Sequence, residues 1–107
     1  MSTENNFLYN NSIKILKDLI SFKTISGEDN NKLIDYCDDL LKKIGATSFR
    51  TYDSEKKRVN LFSTLKSKNS SNKKPLILSG HTDVVPVSKG WSTDPFHATI
   101  KDDKLYG

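Results

Sequence analysis

Cysteine occurs once in the 107 residues, at Cys37, so an internal disulfide and a cysteine-rich zinc site are both excluded. Proline and glycine are sparse, at three and five residues, and no internal repeat or low-complexity tract is present. No apolar run approaches the ~18 residues of a membrane span. Arginine is scarce as well: 15 of the 17 basic residues are lysines, which carry the formal charge to +4. In the longest basic stretch, Asn69, Ser70, Ser71 and Asn72 separate Lys66 and Lys68 from Lys73 and Lys74, and no aromatic interleaves for base stacking. That stretch reads as a solvated loop, and no nucleic-acid or membrane partner is expected. The opening Met-Ser-Thr-Glu-Asn-Asn lacks a basic segment ahead of an apolar one, which argues against a secretory signal and for the cytoplasm.

What is present suits one small core, although an apolar share of 35% is lean. Residues 1–11 are polar and Asn-rich and read as a flexible lead-in. From Ser12, Ile13, Leu16 and Ile20 recur at helical spacing with Leu19 beside them, which predicts a helix ending near Phe22. Lys23 to Gly27 reads as a connector. A second helix is the clearest element, with Leu33, Ile34, Cys37, Leu40, Leu41 and Ile44 on one stripe. Glu28 and Asp29 precede it, Lys42 and Lys43 fill its last turn, and Gly45 follows as the stop residue. Cys37 lies within the stripe and reads as a buried structural thiol rather than a reactive one.

The period then changes. Residues 48–52 and 59–65 alternate as strands around a five-residue polar turn, 53–57, and predict a β-hairpin. After the Lys66–Lys74 loop, Pro75 to Gly80 is a short apolar run that predicts a strand buried on both faces. A second hairpin is expected from His97 to Lys101, turning through Asp102-Asp103 into Leu105-Tyr106.

Chemistry concentrates just after the apolar run, in Ser79-Gly80-His81-Thr82-Asp83-Val84-Val85-Pro86-Val87. Ligand sites of open α/β sheets form at the carboxyl ends of strands. On extended backbone His81 and Asp83 project to the same side. A carboxylate there can take the proton of the imidazole nitrogen that faces away from a metal, fixing the tautomer. A surface histidine near a turn-forming aspartate is the plainer alternative. One histidine cannot complete a metal centre, which needs about three protein ligands. His97 beside Phe96, Asp94 before Pro95, and Asp102-Asp103 read as structural or turn residues. The chain therefore carries the beginning of a metal site.

Three blocks in order, Ser79 to Val87, Gly90-Trp91-Ser92-Thr93-Asp94-Pro95-Phe96 and Lys104-Leu105-Tyr106-Gly107, resemble the N-terminal signature of the two-metal amidohydrolases. That is the acetylornithine deacetylase and succinyl-diaminopimelate desuccinylase family, and the resemblance runs from about Ile13 to the end. Leu19 to Ser26, Asn31 to Tyr36 and Val59 to Leu65 are also similar to the acetylornithine branch, which Val84-Val85-Pro86-Val87 favours. A desuccinylase or another amino-acid deacylase of the same family is the nearest alternative, and a non-catalytic binding module built on the fold is the alternative of another class.

The resemblance implies an α/β fold, the incomplete N-terminal part of a zinc-exopeptidase-like catalytic domain, with two helices followed by a mixed sheet over residues 12–107. It implies His81 as a ligand of one metal and Asp83 as its partner, the residue the family treats as catalytic. It assigns Trp91, Pro95 and Phe96 to packing the following loop. The complete enzyme would hold two zinc ions, with cobalt as an alternative, act on a small N-acyl amino acid such as acetylornithine, and form a homodimer. The family pattern continues beyond Leu-Tyr-Gly with a metal-bridging aspartate, a general-base glutamate and further ligands. The 107 residues alone are therefore expected to be inactive.

Overall fold

The computed structural model describes residues 2–69 and 72–107. The chain is a small α/β protein of two helices and two two-stranded antiparallel sheets. Two compact units divide it, one of residues 24–84 and one of residues 2–23 and 85–107.

The first unit holds the better-packed structure. Helix α2 spans Asn31–Lys43, and strands β1 (Thr47–Tyr52) and β2 (Val59–Thr64) follow as a hairpin. The helix stops where Gly45 takes a φ of 89°, which an L side chain adopts only with strain. Gly45 N–H donates to Lys42 O at 2.9 Å and Ala46 N–H to Leu41 O at 3.0 Å, so two of the last carbonyls are satisfied. At the other end Asp29 Oδ1 accepts from Asn31 N–H at 2.8 Å. The Asn30 side chain reaches across to the hairpin: its Nδ2 donates to Val59 O at 3.0 Å, and its Oδ1 accepts from Val59 N–H at 2.8 Å. An amide side chain thus takes the place of a neighbouring strand at the start of β2.

Register in the hairpin runs from Thr47 opposite Thr64 to Tyr52 opposite Val59. Alternation then sorts the residues by face. Ser48, Arg50, Val59, Leu61 and Ser63 are buried or half-buried, whereas Phe49 and Phe62, directly opposite one another, are exposed. The buried apolar side chains are Leu33, Ile34 and Val59, which places the core where α2 meets the hairpin. Asp38 is buried beside them at 2% exposure. The connecting turn, Asp53 to Arg58, is one residue longer than expected because Asp53 organises it. Its Oδ1 accepts from Lys57 and Arg58 N–H, and its Oδ2 pairs with Arg58 Nε at 2.7 Å.

Two expectations in this unit need correction. Residues 75–80 form no strand, and Leu76, Ile77 and Leu78 are 85%, 74% and 87% exposed rather than buried. Burial on both faces needs a neighbouring strand and a layer on each side, and among the described residues no strand pairs with this run. Cys37 is half-buried rather than buried, and partial burial pushes its thiol pKa up. The expected Lys66–Lys74 loop is without regular structure where described; its Ser70 and Ser71 lie outside the described residues.

In the second unit, helix α1 spans Thr3–Ile20, so the stretch read as a lead-in is helical. Ser2 caps it, with its side chain accepting from Asn5 N–H at 3.2 Å, and neither proline nor glycine interrupts the next eighteen residues. No residue of α1 is buried, and Leu16 faces out at 43% exposure. Ser21 ends the helix, its N–H and hydroxyl both donating to Asp18 O. Strands β3 (Thr99–Lys101) and β4 (Lys104–Tyr106) form the second hairpin as expected. Asp102 and Asp103 have φ of 50° and 56°, the paired positive values of a two-residue primed turn, which aspartate tolerates. Asp94 supplies the expected turn chemistry, its Oδ1 accepting from Phe96 N–H at 2.9 Å. Pro95 and Phe96 are half-buried, with Lys23 Nζ 5.6 Å from the Phe96 ring centre, but Trp91 is 45% exposed and packs the loop poorly.

Candidate functional site

His81 and Asp83 lie together, as their spacing predicts. His81 Nδ1 stands 3.0 Å from Asp83 Oδ1 and 3.1 Å from Asp83 backbone O. A carbonyl oxygen can only accept, so the hydrogen belongs on Nδ1 and the lone pair on Nε2. The imidazole is open to solvent, at 84% side-chain exposure, with Asp83 at 61%.

The alternation of Thr24, Ile25 and Ser26 in the connector after α1 explains how so exposed a pair is held. Ile25 and Val84 form a short parallel bridge. Ser26 N–H donates to Val84 O at 2.9 Å, and Val84 N–H donates to Thr24 O at 3.0 Å. Thr24, buried at 5% exposure, donates its hydroxyl to Thr82 O at 2.6 Å. This pairing brings Ser26 over the carboxylate, and its hydroxyl donates to Asp83 Oδ2 at 2.6 Å. The Ser26 hydroxyl foremost, and then the His81 ring, hold the Asp83 carboxyl below the usual carboxylate range. The order of contacts is hydroxyl to carboxylate to imidazole. A serine nucleophile would need its hydroxyl on the imidazole instead, so Ser26 is not arranged for attack.

Spacing in the sequence anticipates the contact of His81 with Asp83 and does not anticipate Thr24 and Ser26 beside it. The available signal was the Thr-Ile-Ser alternation itself, a strand-like triplet inside what reads as a connector. His97 is exposed, and its backbone serves the turn by donating to Asp94 O at 3.2 Å. Among the described residues no three His, Cys, Asp or Glu side chains are grouped to hold a metal ion. A cavity of about 730 Å³ lies elsewhere, lined by residues 64–69 and 73–76, and includes neither His81 nor Asp83. No helix among the described residues is long and apolar enough to cross a membrane.

Against known proteins, the chain is 42% identical over 102 residues to the succinyl-diaminopimelate desuccinylase of Rickettsia canadensis (strain McKiel), covering 89% of this chain and 25% of that protein. It is 39% identical over 99 residues to the same enzyme of Ehrlichia canis (strain Jake), again 89% of this chain and 25% of the relative. The desuccinylase of Sulfurovum sp. (strain NBC37-1) is 36% identical over 96 residues, 90% of this chain and 24% of the relative. The chain is similar to succinyl-diaminopimelate desuccinylases over about nine-tenths of its own length. It spans about a quarter of the length of these curated relatives. The acetylornithine branch favoured by Val84-Val85-Pro86-Val87 is not the one these relatives carry in their names. No protein-family model matches the chain, and no solved structure matches it with significance.

Proposed function

We propose that this chain is the N-terminal portion of the catalytic domain of a metal-dependent amidohydrolase that removes the succinyl group from an N-succinyl amino acid. The observation that carries the reading is the Asp83–His81 pair, in a chain similar to desuccinylases over nearly all of its length. Succinyl-diaminopimelate is preferred over acetylornithine as the substrate, because the relatives bear the desuccinylase name.

In this reading His81 contributes one ligand to a divalent metal, zinc or cobalt, through Nε2. The donor chemistry suits that role: Nδ1 is committed to Asp83, and Nε2 is left as the free lone pair on an exposed ring. The described residues supply one such ligand rather than a set, so the remaining ligands come from the part of the relatives' length that this chain does not span. When bound, the metals polarise the amide carbonyl and acidify a water. Asp83, a carboxylate held in its ionised form, fixes the tautomer and orientation of His81. A dimer of the complete enzyme, and a cytoplasmic setting, belong to the same proposal.

The test is an assay of the product of the complete reading frame, beside the 107-residue chain, on N-succinyl-diaminopimelate and N-acetylornithine with zinc or cobalt supplied. The expected result is succinate release by the complete product, abolished in His81→Ala, with no turnover by the 107-residue chain. Faster hydrolysis of acetylornithine would restore the other branch, and turnover unaffected by His81→Ala would remove this site from the chemistry.

A further inference from the structure

The Asp83 carboxylate is exposed and rests on a side chain with free rotation, yet its two oxygens are directed at different partners. Oδ1 faces His81 Nδ1 at 3.0 Å, and Oδ2 receives the Ser26 hydroxyl at 2.6 Å. Ser26 comes from a segment 57 residues earlier in the chain, clamped in place by the two backbone bonds between residues 24–26 and Val84 and by the buried Thr24. In solvent, an aspartate two residues from a histidine samples several rotamers, and histidine in water prefers its proton on Nε2. Both tendencies work against the arrangement observed, which needs one aspartate rotamer and the proton on Nδ1. The backbone carbonyl of Asp83 offers Nδ1 a second acceptor at 3.1 Å, but that oxygen bears no charge. A charge-assisted bond to the carboxylate is the stronger of the two.

We propose that Ser26 is a positioning residue for this site: its hydroxyl fixes the Asp83 carboxylate so that His81 is held as the Nδ1–H tautomer with Nε2 free as a metal-directed lone pair. The assignment deepens, and rests on, the reading of His81 as a metal ligand. Ser26 touches neither metal nor substrate in this role. It acts through Asp83 and prepares the imidazole before any metal arrives.

The experiment measures the ring directly in the metal-free 107-residue chain. Imidazole ¹⁵N shifts and the couplings that report the Asp83 χ1 rotamer are recorded over a pH series, and the tautomer is read on the alkaline plateau of the shifts. Ser26→Thr keeps a hydroxyl, and Ser26→Val has the same shape without one. The backbone ¹H–¹⁵N spectrum of each variant reports whether the 24–84 unit keeps its fold. The expected result is the Nδ1–H pattern and a single Asp83 rotamer in the parent and in Ser26→Thr. Ser26→Val should show rotamer averaging and a shift of the ring toward Nε2–H. A Val variant whose ring and rotamer match the parent overturns the proposal, because the carbonyl alone would then hold the tautomer. So does a folded Thr variant that behaves like Val. Because no metal and no turnover enter the measurement, failure of the desuccinylase reading leaves this outcome unaffected, and the reverse also holds.

Discussion

At the scale of single residues, two charged clusters of the 24–84 unit, one around Asp83 and one around Asp38, differ in how readable they are. His81 and Asp83 are two positions apart, so their contact follows from extended backbone alone. Asp38 is the opposite case. It looks like one of several helix carboxylates, yet it is buried, with Lys42 Nζ at 2.9 Å and Arg50 Nη2 at 2.7 Å, while Arg50 Nη1 reaches Asp35 at 2.6 Å. Spacing along α2 puts Asp38 one turn after Ile34, on the packed face, but which strand residue would meet it depends on how the helix lies across the hairpin. Asp38 Oδ1 has no hydrogen-bond partner among the described residues. Lys42 foremost, with the Ser48 hydroxyl and Arg50, keeps the carboxyl well below the usual range. A carboxyl whose folded pKa is depressed stabilises the fold fully above its unfolded value of about 3.9 and loses that contribution as pH falls below it. Asp53 and Asp83 are shifted in the same direction and add to the effect. Thermal melts should therefore be flat from pH 7 to 5 and fall steeply below about pH 4. Asp38→Asn should melt lower at neutral pH and decline less between pH 5 and 3. A variant curve parallel to the parent's would show that Asp38 does not drive the acid response.

Among the elements, those stabilised by local signals are legible in the sequence and those that need distant partners are not. Helix α2 carries its stripe, its basic last turn and its stop glycine in consecutive sequence, and it ends within two residues of Gly45. Both hairpins are legible for the same reason, since alternation and turn residues are local. The start of helix α1 is not legible, because four asparagines lower helix propensity and the Ser2 cap lies well ahead of the apolar repeat that begins at Ile13. The run 75–80 misleads because apolar composition states which environment a segment suits, not whether neighbours are in place. The local signals can be tested at Gly45. Its φ of 89° costs an L residue roughly 1–2 kcal/mol, and among the described residues other than its chain neighbours none has a heavy atom within 4 Å of the position an added methyl would take, so strain and not a clash is the penalty. Gly45→Ala should lower stability by about 1 kcal/mol in urea melts with an unchanged slope. Gly80→Ala, also in open space and without a positive φ, should be near neutral. Equal losses at the two positions would contradict the conformational argument.

For the whole molecule, the decisive quantity is the imbalance between buried and exposed apolar surface. Among the described residues three apolar side chains are buried, Leu33, Ile34 and Val59, whereas Phe49, Phe62 and the run Leu76-Ile77-Leu78 are between 66% and 87% exposed. Exposed apolar area of this kind is ordinary when scattered and consequential when it is contiguous. Phe49 and Phe62 are contiguous: they face one another across β1 and β2 on the side of the hairpin turned away from α2. Against association stands the net charge of +4, whose repulsion acts over a Debye length of about 10 Å at 0.1 M salt. Association driven by these faces should therefore rise with added salt, because screening weakens the repulsion and leaves the apolar attraction intact. Sedimentation velocity of the 107-residue chain should show a concentration-dependent increase in the mean sedimentation coefficient, larger at 0.5 M than at 0.05 M sodium chloride. Replacing both phenylalanines by threonine removes the apolar pair and retains a residue that suits a strand. The double variant Phe49→Thr/Phe62→Thr should sediment closer to a monomer at either salt while keeping the far-ultraviolet circular dichroism of the parent. If the double variant associates as strongly as the parent, the attraction originates elsewhere, and the exposed run 76–78 is the next surface to substitute. If association falls as salt rises, charge pairing and not apolar contact holds the copies together.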